Sequence, residues 1–298
     1  MKNILMYLTI VFIWGTTWLA IKLQLGKVPP EVSIFYRFAI AGTLLFLYCK
    51  LRKISLHFKR QEHLFLFLLG CAMFSINFIF IYKSTLYLIS GLVSVVFSLV
   101  SLFNIINNYL FFNKRPEKHV VLGGTIGLVG IMTLFWKSIF GMSFNQQILL
   151  GISLALAGTL IFSFGNIISF RNQKKGMRLV PSTAISMMYG ASMMLIYVLA
   201  KGLPLGLPIT FSYWASLLYL AIPGSVIAFL FYLDLISRIG PERAGYATIF
   251  FPLIALTLSY LLETYQWSWS DLVGVGLILF GNYAVMYKKK QPVAPGPN

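Results

Sequence analysis

Charged residues are scarce in this chain, and acidic residues are the scarcest. Only 10% of the 298 residues are charged, and Asp and Glu together number 7. Since 58% of the residues are hydrophobic, an ordinary water-soluble domain is excluded. The net charge is +17, but the basic residues stand in short stretches between apolar runs and form no separate basic domain. We therefore expect no nucleic-acid partner.

Residues that bind metals or carry catalysis are also few. The two cysteines, Cys49 and Cys71, lie in apolar segments, and the 3 histidines lie in or beside predicted loops. The chain contains no Cys or His spacing typical of a metal site, and no GxSxG or HExxH motif. No acid lies at the centre of an apolar segment. We expect neither an enzyme nor a bound metal or cofactor.

Long apolar runs are what the chain has in abundance, and its mean hydropathy is +0.82. A membrane-spanning helix requires ~20 mostly apolar residues, and ten such spans with short connectors occupy almost all of the sequence. Their approximate bounds are 4–22, 32–50, 64–83, 88–112, 118–137, 148–170, 179–200, 211–236, 243–262 and 269–287. The sequence thus predicts an all-α membrane protein with ten transmembrane helices in the lipid bilayer. Residues 291–298, rich in Pro, are expected to form a disordered tail.

The basic residues predict the orientation of these spans. With the N-terminus inside, eighteen of the 24 Lys and Arg residues fall on the cytoplasmic side and five on the other. Short cytoplasmic loops carry such an excess of positive charge. We therefore expect a multi-pass protein of the cell inner membrane with both termini in the cytoplasm.

An internal repeat relates the two halves of the chain. Sliding the sequence by about 151 residues keeps one register from the second to the fifth span of each half. Among the matches are Gly123 with Gly274 and Gly130 with Gly281. Each half has an odd number of spans, so the second must be inserted upside down. We predict two inverted five-helix repeats, 1–140 and 141–290, an arrangement that is typical of alternating access.

A row of small polar residues marks the fourth span. At about 100° per residue, five side chains share one helix face and a sixth lies at its edge. They are Ser90, Ser94, Ser101, Asn104 and Asn108, with Ser98 at the edge. A polar group without a partner is costly in hydrocarbon, so this face contacts either other helices or water. Interhelical hydrogen bonds and the wall of a polar cavity are both open interpretations.

Arg37 is the charged candidate for a binding site, because it lies about two turns inside the second span. It either fixes the position of its helix or anchors an anionic or carboxylate-bearing solute. Polar and aromatic residues at similar depth complete the predicted substrate site, which comprises Trp14, Arg37, Asn77, Tyr82, Ser94, Ser98, Ser101, Asn104, Asn108, Asn166, Tyr189 and Tyr246.

Glycines recur in the fifth and tenth spans, where they allow close helix approach. They are Gly123, Gly127, Gly130, Gly274, Gly276 and Gly281. We assign these two spans to scaffolding or to contact within a homodimer.

Four segments resemble the two EamA repeats of the drug/metabolite transporter superfamily. They are WGTTWLAIK, PPEVSIFYRFAIAG, YLISGLVSVVFSLVSLFN and RIGPERAGYATIFFPLIALTLSYLLE. The resemblance implies a ten-helix permease with a central cavity made mainly by spans 1–4 and 6–9. It also implies export of amino acids or other metabolites, in many relatives driven by protons. The chain departs from the family pattern at Ser101, where a proline is usual, and near Asn113, where an acid is common.

Together these features predict a secondary transporter that moves a small-molecule substrate, exporting amino acids or related compounds by alternating access. The alternative is a non-transporting membrane assembly or sensor protein, in which the polar row only holds helices together.

Overall fold

The computed structural model describes residues 2–113, 118–136, 146–245, 247–263 and 267–286. Within these ranges the secondary structure is helical, which confirms the all-α class. The α-helices are α1 (Lys2–Lys22), α2 (Pro30–Leu51), α3 (Arg60–Cys71), α4 (Asn77–Ser84), α5 (Ser90–Phe97), α6 (Val100–Phe112), α7 (Lys118–Leu134), α8 (Gln146–Lys174), α9 (Leu179–Ala200), α10 (Phe211–Ala221), α11 (Ala228–Ala244), α12 (Ala247–Leu262) and α13 (Trp269–Met286). The predicted tail, 291–298, lies outside the described residues.

Among the described residues, 7 helical segments are long and apolar enough to cross a membrane. They coincide with the predicted spans one to four and six to eight. The remaining three predicted spans correspond to α7, α12 and α13, and two shorter apolar helices lie at Val121–Leu134 and Phe250–Leu262. Helix α13 runs through the tenth predicted span.

The fourth span is not the single continuous helix that the sequence predicts. A turn at Ser98 and Leu99 separates α5 from α6. The hydroxyls of Ser94 and Ser98 donate to carbonyl oxygens three residues earlier in the chain, at Gly91 and Val95. Serine side chains that bond back to the helix in this way often bend it. Asn107 of α6 lies off the polar face in the helical projection, and the structure nevertheless buries it.

Two π-helical turns interrupt long helices at matching positions in the two halves. The first, Ala72–Ile76, joins α3 to α4, and the second, Ile222–Ile227, joins α10 to α11. In each turn a serine hydroxyl donates to the carbonyl oxygen five residues earlier, Ser75 to Gly70 at 3.0 Å and Ser225 to Leu220 at 2.8 Å. π-Turns inside α-helices are frequent at functional sites.

A sharp bend at Gly240 ends the eighth span. Its φ of 83° lies in the left-handed region that glycine adopts readily, and Pro241 follows. The chain then turns back into α12, which packs along α1. This contact is close, since a Cβ at Gly15 would lie 2.7 Å from Ile254 Cβ.

Helices from the two halves of the chain pack pairwise. Helix α2 packs on α9, α7 on α13, and α1 on α12, while α8 packs on α4, α5 and α6. The pairs α2–α9 and α7–α13 each join spans that the internal repeat makes equivalent. The aromatic core lies among α1, α2, α4, α5, α8, α11 and α12.

Candidate functional site

A cavity lies in this aromatic core, with an empty volume of about 410 Å³ including its mouth. Its lining comprises Trp14, Thr17, Trp18 and Ile21 of α1, Arg37 of α2, Phe78 and Ile81 of α4, Phe97 of α5, Phe162 of α8, Phe229 of α11 and Phe251 of α12. No lining residue is more than 8% exposed. The lining is therefore deeply buried, and both halves of the chain contribute to it.

Two tryptophans one turn apart on α1 organise the aromatic lining. Trp14 lies 5.2 Å from Phe229 and 4.9 Å from Tyr232 between ring centroids, in edge-on and tilted arrangements. Its indole N–H donates to the Gly224 carbonyl oxygen at 3.2 Å. Trp18 stacks on Phe251 at 5.7 Å. Such pairs fix ring positions, so the cavity has rigid, flat walls.

Arg37 brings a positive charge to this apolar cavity. Only 2% of the residue is exposed. Its Nε donates to Ser225 Oγ, in the second π-turn, at 2.9 Å. The guanidinium lies over the ring of Phe78, 4.4 Å from its centroid. Nη1 is buried and has no hydrogen-bond partner.

Polar contacts close the cavity at the end that the sequence predicts to be extracellular. Lys83 Nζ and Glu31 Oε1 are 3.0 Å apart, and the Tyr82 hydroxyl donates to Gln24 Oε1 at 3.1 Å. These contacts join α4 to α2 and to the turn that follows α1.

At the same end, α12 caps the start of α5. The backbone N–H of Ser90 donates to Glu263 Oε2 at 3.1 Å, and that of Gly91 donates to Ser259 Oγ at 2.9 Å. The Ser90 hydroxyl bonds to the second Glu263 oxygen. A carboxylate at a helix N-terminus accepts hydrogen bonds from free backbone N–H groups and interacts favourably with the helix dipole. This contact therefore stabilises the packing of the two predicted repeats on each other.

On the other side of the aromatic core, a buried polar network joins α6 to α8 and α11. Asn104 Oδ1 accepts from the Ser163 hydroxyl at 2.8 Å and from Asn166 Nδ2 at 3.0 Å. Its own Nδ2 donates to the Pro241 carbonyl oxygen at 3.0 Å. Asn166 Nδ2 also reaches the Tyr232 hydroxyl, and Asn107 Nδ2 reaches Ser163 Oγ.

Asn282 of α13 makes a second set of contacts with the polar row. Its Oδ1 accepts from the Ser101 hydroxyl at 2.8 Å, and its Nδ2 donates to Ser98 Oγ at 3.0 Å. Asn108 is also buried and has a partner. Ser90, Ser98, Ser101 and Asn104 are thus hydrogen-bonded to neighbouring helices, whereas Ser94 donates within its own helix. None of the polar row lines the cavity.

The predicted site residues therefore fall into separate groups. Trp14 and Arg37 line the cavity. Tyr82 lies at its closed end, and the residues of the polar row lie in the networks together with Asn166. Tyr189 lies elsewhere, with its hydroxyl 2.8 Å from His63 Nδ1, and Tyr246 lies outside the described residues.

Asn77 has a different environment from the other predicted asparagines. Its side chain is buried, and neither its Oδ1 nor its Nδ2 has a hydrogen-bond partner. An amide buried in this way costs free energy, and nothing in the described structure compensates it.

The phenylalanines of the cavity are absent from the predicted site. The chain has 26 Phe residues, and some of them are exposed on the outside of the helices, among them Phe12, Phe67 and Phe250. Phe97, Phe162, Phe229 and Phe251 have no sequence feature that separates them from those. Only the fold distinguishes a cavity wall from a lipid-facing surface here.

Within the ranges that the structure describes, no group of three or more His, Cys, Asp or Glu residues could hold a metal ion. Cys49 and Cys71 are free thiols.

The apolar helices and the buried aromatic cavity together define a polytopic membrane protein of the transporter type. The family model for "EamA-like transporter family" matches residues 1–136 and 149–287, so the chain belongs to this family and the resemblance seen in the sequence is confirmed.

Relatives of similar length support this assignment. The chain is 24% identical over 283 residues to "Uncharacterized transporter YoaV" of Bacillus subtilis, covering 94% of this chain and 95% of the relative. It is 28% identical over 295 residues to "Uncharacterized inner membrane transporter YedA" of Escherichia coli, covering 95% of this chain and 92% of the relative. A crystal structure with 19% identity aligns with a TM-score of 0.69 and covers 95% of this chain and 96% of the other, so the two share a fold.

Proposed function

We propose that the protein is a secondary transporter that carries a small metabolite through the aromatic cavity by alternating access. A buried cavity lined by helices of both halves is the observation that carries this proposal, because alternating access requires a central site at the interface of the two repeats. The polar contacts at each end are the gates. The residues around Ser90 and Glu263 form the outer gate, and the Asn104 network forms the inner gate.

We propose that the chain forms ten spans in two inverted repeats, 1–140 and 141–290. The matching π-turns support this, since Ser75 and Ser225 make the same hydrogen bond in the third and eighth spans. The packing supports it as well. Contacts of α1 with α12 and of α8 with α5 and α6 join span one to span nine and span six to span four, which the repeat exchanges.

The membrane is proposed to be the cell inner membrane, with both termini in the cytoplasm. The excess of basic residues on one side supports the orientation, and the name of the YedA relative supports the membrane. Export, with protons as the coupling ion, is the proposed direction and driving force. The amino acids or related compounds that the resemblance implies are one candidate class of solute.

A homodimer through the fifth and tenth spans is a further part of the proposal. Helices α7 and α13 pack on each other, and their outer faces expose large apolar side chains, among them Leu128, Val129, Val273 and Phe280. These faces contact either lipid or a second copy.

A non-transporting membrane protein is the competing candidate. The hydrogen bonds of the polar row favour it, because they hold helices together without leaving space beside them. A static protein of this kind would not expose its cavity alternately to the two sides of the membrane.

Cysteine accessibility separates the two candidates. Thr17→Cys in a Cys49→Ala, Cys71→Ala background places a thiol in the cavity lining. We expect a membrane-impermeant thiol reagent to label it from either side, in right-side-out and in inverted vesicles, because each open state is populated to ~0.1–10%. Ser101→Cys and Asn108→Cys test the polar row in the same way.

Thr159→Cys is the matched control, since Thr159 is fully buried and lies outside the cavity lining. We expect its labelling to be at least about tenfold slower, because no open state exposes it. Labelling of Thr17→Cys from one side only, under all conditions, would contradict alternating access.

A further inference from the structure

We propose that the cavity binds an organic monoanion, with its carboxylate on Arg37 and a flat apolar body between the aromatic side chains. This inference rests on the proposed function, because it names the chemical class of the transported solute. The inference narrows the transported solutes to those that carry a carboxylate and no free ammonium group.

The charge of the cavity is the first argument. An arginine side chain stays protonated in proteins, so Arg37 contributes one buried positive charge. Its described contacts are neutral: Ser225 Oγ, the rings of Phe38 and Phe78, and the Tyr82 side chain. A buried ion without a counter-ion is strongly unfavourable in a membrane, and a monoanion would neutralise it.

The described acidic side chains all have other contacts. Glu31 pairs with Lys83, Asp234 with Arg238, and Glu263 bonds to Ser90. Glu62 and Asp271 accept hydrogen bonds from backbone N–H groups at helix starts. Glu117 and the side chain of Glu242 lie outside the described part of the chain. No acid among the described residues therefore neutralises Arg37.

The unpartnered polar atoms of the cavity are the second argument. Among the described lining residues, the buried side-chain N and O atoms without a partner are Arg37 Nη1 and Trp18 Nε1. Both are hydrogen-bond donors and neither can accept. Thr17, the remaining polar residue of the lining, donates to the Trp14 carbonyl oxygen at 2.8 Å. Apart from the Thr17 hydroxyl oxygen, the polar side-chain atoms of the described lining are N–H donors, and such donors are the complement of a carboxylate.

The aromatic walls are the third argument, and they define the body of the solute. Rings of Trp14, Phe97, Phe162 and Phe229 surround a space with an empty volume of about 410 Å³ including its mouth. Binding pockets for small molecules are lined mainly by such side chains, with a few polar groups that fix orientation. These apolar rings are complementary to a planar or short aliphatic body.

An amino acid with a free ammonium group is disfavoured by the same charges. Its carboxylate neutralises Arg37, but its ammonium brings a second positive charge into a cavity whose described lining contains no acid. The site with a bound zwitterion keeps a net charge of +1, whereas the site with a bound monoanion is neutral. We therefore expect the cavity to discriminate between them by charge.

Three compounds with one phenyl ring and similar side chains test the inference. They are 3-phenylpropionate, L-phenylalanine and 2-phenylethylamine, which carry a negative, a zwitterionic and a positive group. Binding to the purified full-length protein is measured by competition with radiolabelled 3-phenylpropionate. We expect 3-phenylpropionate to bind, L-phenylalanine to bind at least about tenfold more weakly, and 2-phenylethylamine not to compete.

Variants of Arg37 locate the binding to this side chain. Arg37→Met places there the residue found at Met188, which the repeat aligns with Arg37 at a slide of 151 residues. It should abolish binding of 3-phenylpropionate. Arg37→Lys keeps the charge without the planar fork, so it should bind more weakly and still prefer the anion. Thermal unfolding of each variant checks that it is folded.

Arg52→Gln is the matched control, because Arg52 follows the same helix and is exposed at its far end. It removes one positive charge and should leave binding unchanged. A preference of the wild type for L-phenylalanine or 2-phenylethylamine would overturn the inference, as would anion binding that survives in folded Arg37→Met. In either case two-sided labelling of Thr17→Cys would still support transport. If Thr17→Cys is not labelled from both sides but the anion still binds, the transport function is rejected and the anion-binding site at Arg37 is retained.

Discussion

Gly274→Leu is expected to separate α7 from α13 and to lower the free energy of unfolding by about 3 kcal/mol or more. A Cβ at Gly274 would lie 2.6 Å from the backbone nitrogen of Leu134 and 2.7 Å from its Cα. Backbone atoms cannot move aside as a flexible side chain does, so the helices must part along their contact. Thermal unfolding in detergent, followed by the loss of monodisperse protein, measures the effect.

Gly276→Leu is the control for this substitution, because Gly276 lies two residues further along the same helix. It is exposed, and a Cβ there meets no atom within 4 Å. We expect unchanged stability or a small gain, since leucine favours helix more than glycine by ~0.5–1 kcal/mol. Equal losses in both variants would contradict the packing described for α7 and α13. Loss of a dimer in Gly276→Leu, with the monomer unaffected, would assign this face to a second copy.

Asn104→Leu is expected to lower the free energy of unfolding by about 2–4 kcal/mol, because it leaves buried polar groups without partners. The Ser163 hydroxyl would lose its acceptor, Asn166 Nδ2 would lose one of its two acceptors, and the Pro241 carbonyl oxygen would lose one of its two donors. If the network is also the inner gate, the variant should populate inward-open states. Labelling of Thr17→Cys from the cytoplasmic side should then become faster.

Asn77→Leu makes the same chemical change at a second buried asparagine and should have the opposite effect on stability. Neither side-chain atom of Asn77 has a partner, so leucine should leave stability unchanged or raise it by about 1 kcal/mol. The stabilities of the Asn104→Leu and Asn77→Leu variants are both measured by thermal unfolding in the same detergent. A similar loss in both variants would mean that the partners seen for Asn104 contribute nothing specific.

Much of the glycine-based packing could be predicted from the sequence. The glycines at Gly130, Gly274 and Gly281 predicted close helix approach in the fifth and tenth spans, and each would place a Cβ within 2.8 Å of a neighbouring backbone atom. The same prediction covered Gly276, but a Cβ at this position would face open space. The residue type indicates that close approach is allowed, but which side of the helix meets a neighbour depends on packing.

The polar row illustrates a different limit. Its residues were identified from helical periodicity, and their burial agrees with a face that avoids lipid. Periodicity does not distinguish a partner on another helix from a water-filled space, since both satisfy polar groups. It also left out Asn107, which lies off the polar face in the helical projection and which the structure buries in contact with Ser163.

The sequence by itself determined the membrane class, the position of the helices, the family and the charge placed at Arg37. These follow from composition and from local patterns, which require no knowledge of distant neighbours. Only the tertiary structure decided which phenylalanines enclose a cavity, where the π-turns lie, and that Arg37 meets Ser225 from the other half of the chain. The physical reason is that a phenylalanine facing lipid and one facing a cavity have the same local pattern, and only packing between distant segments separates them.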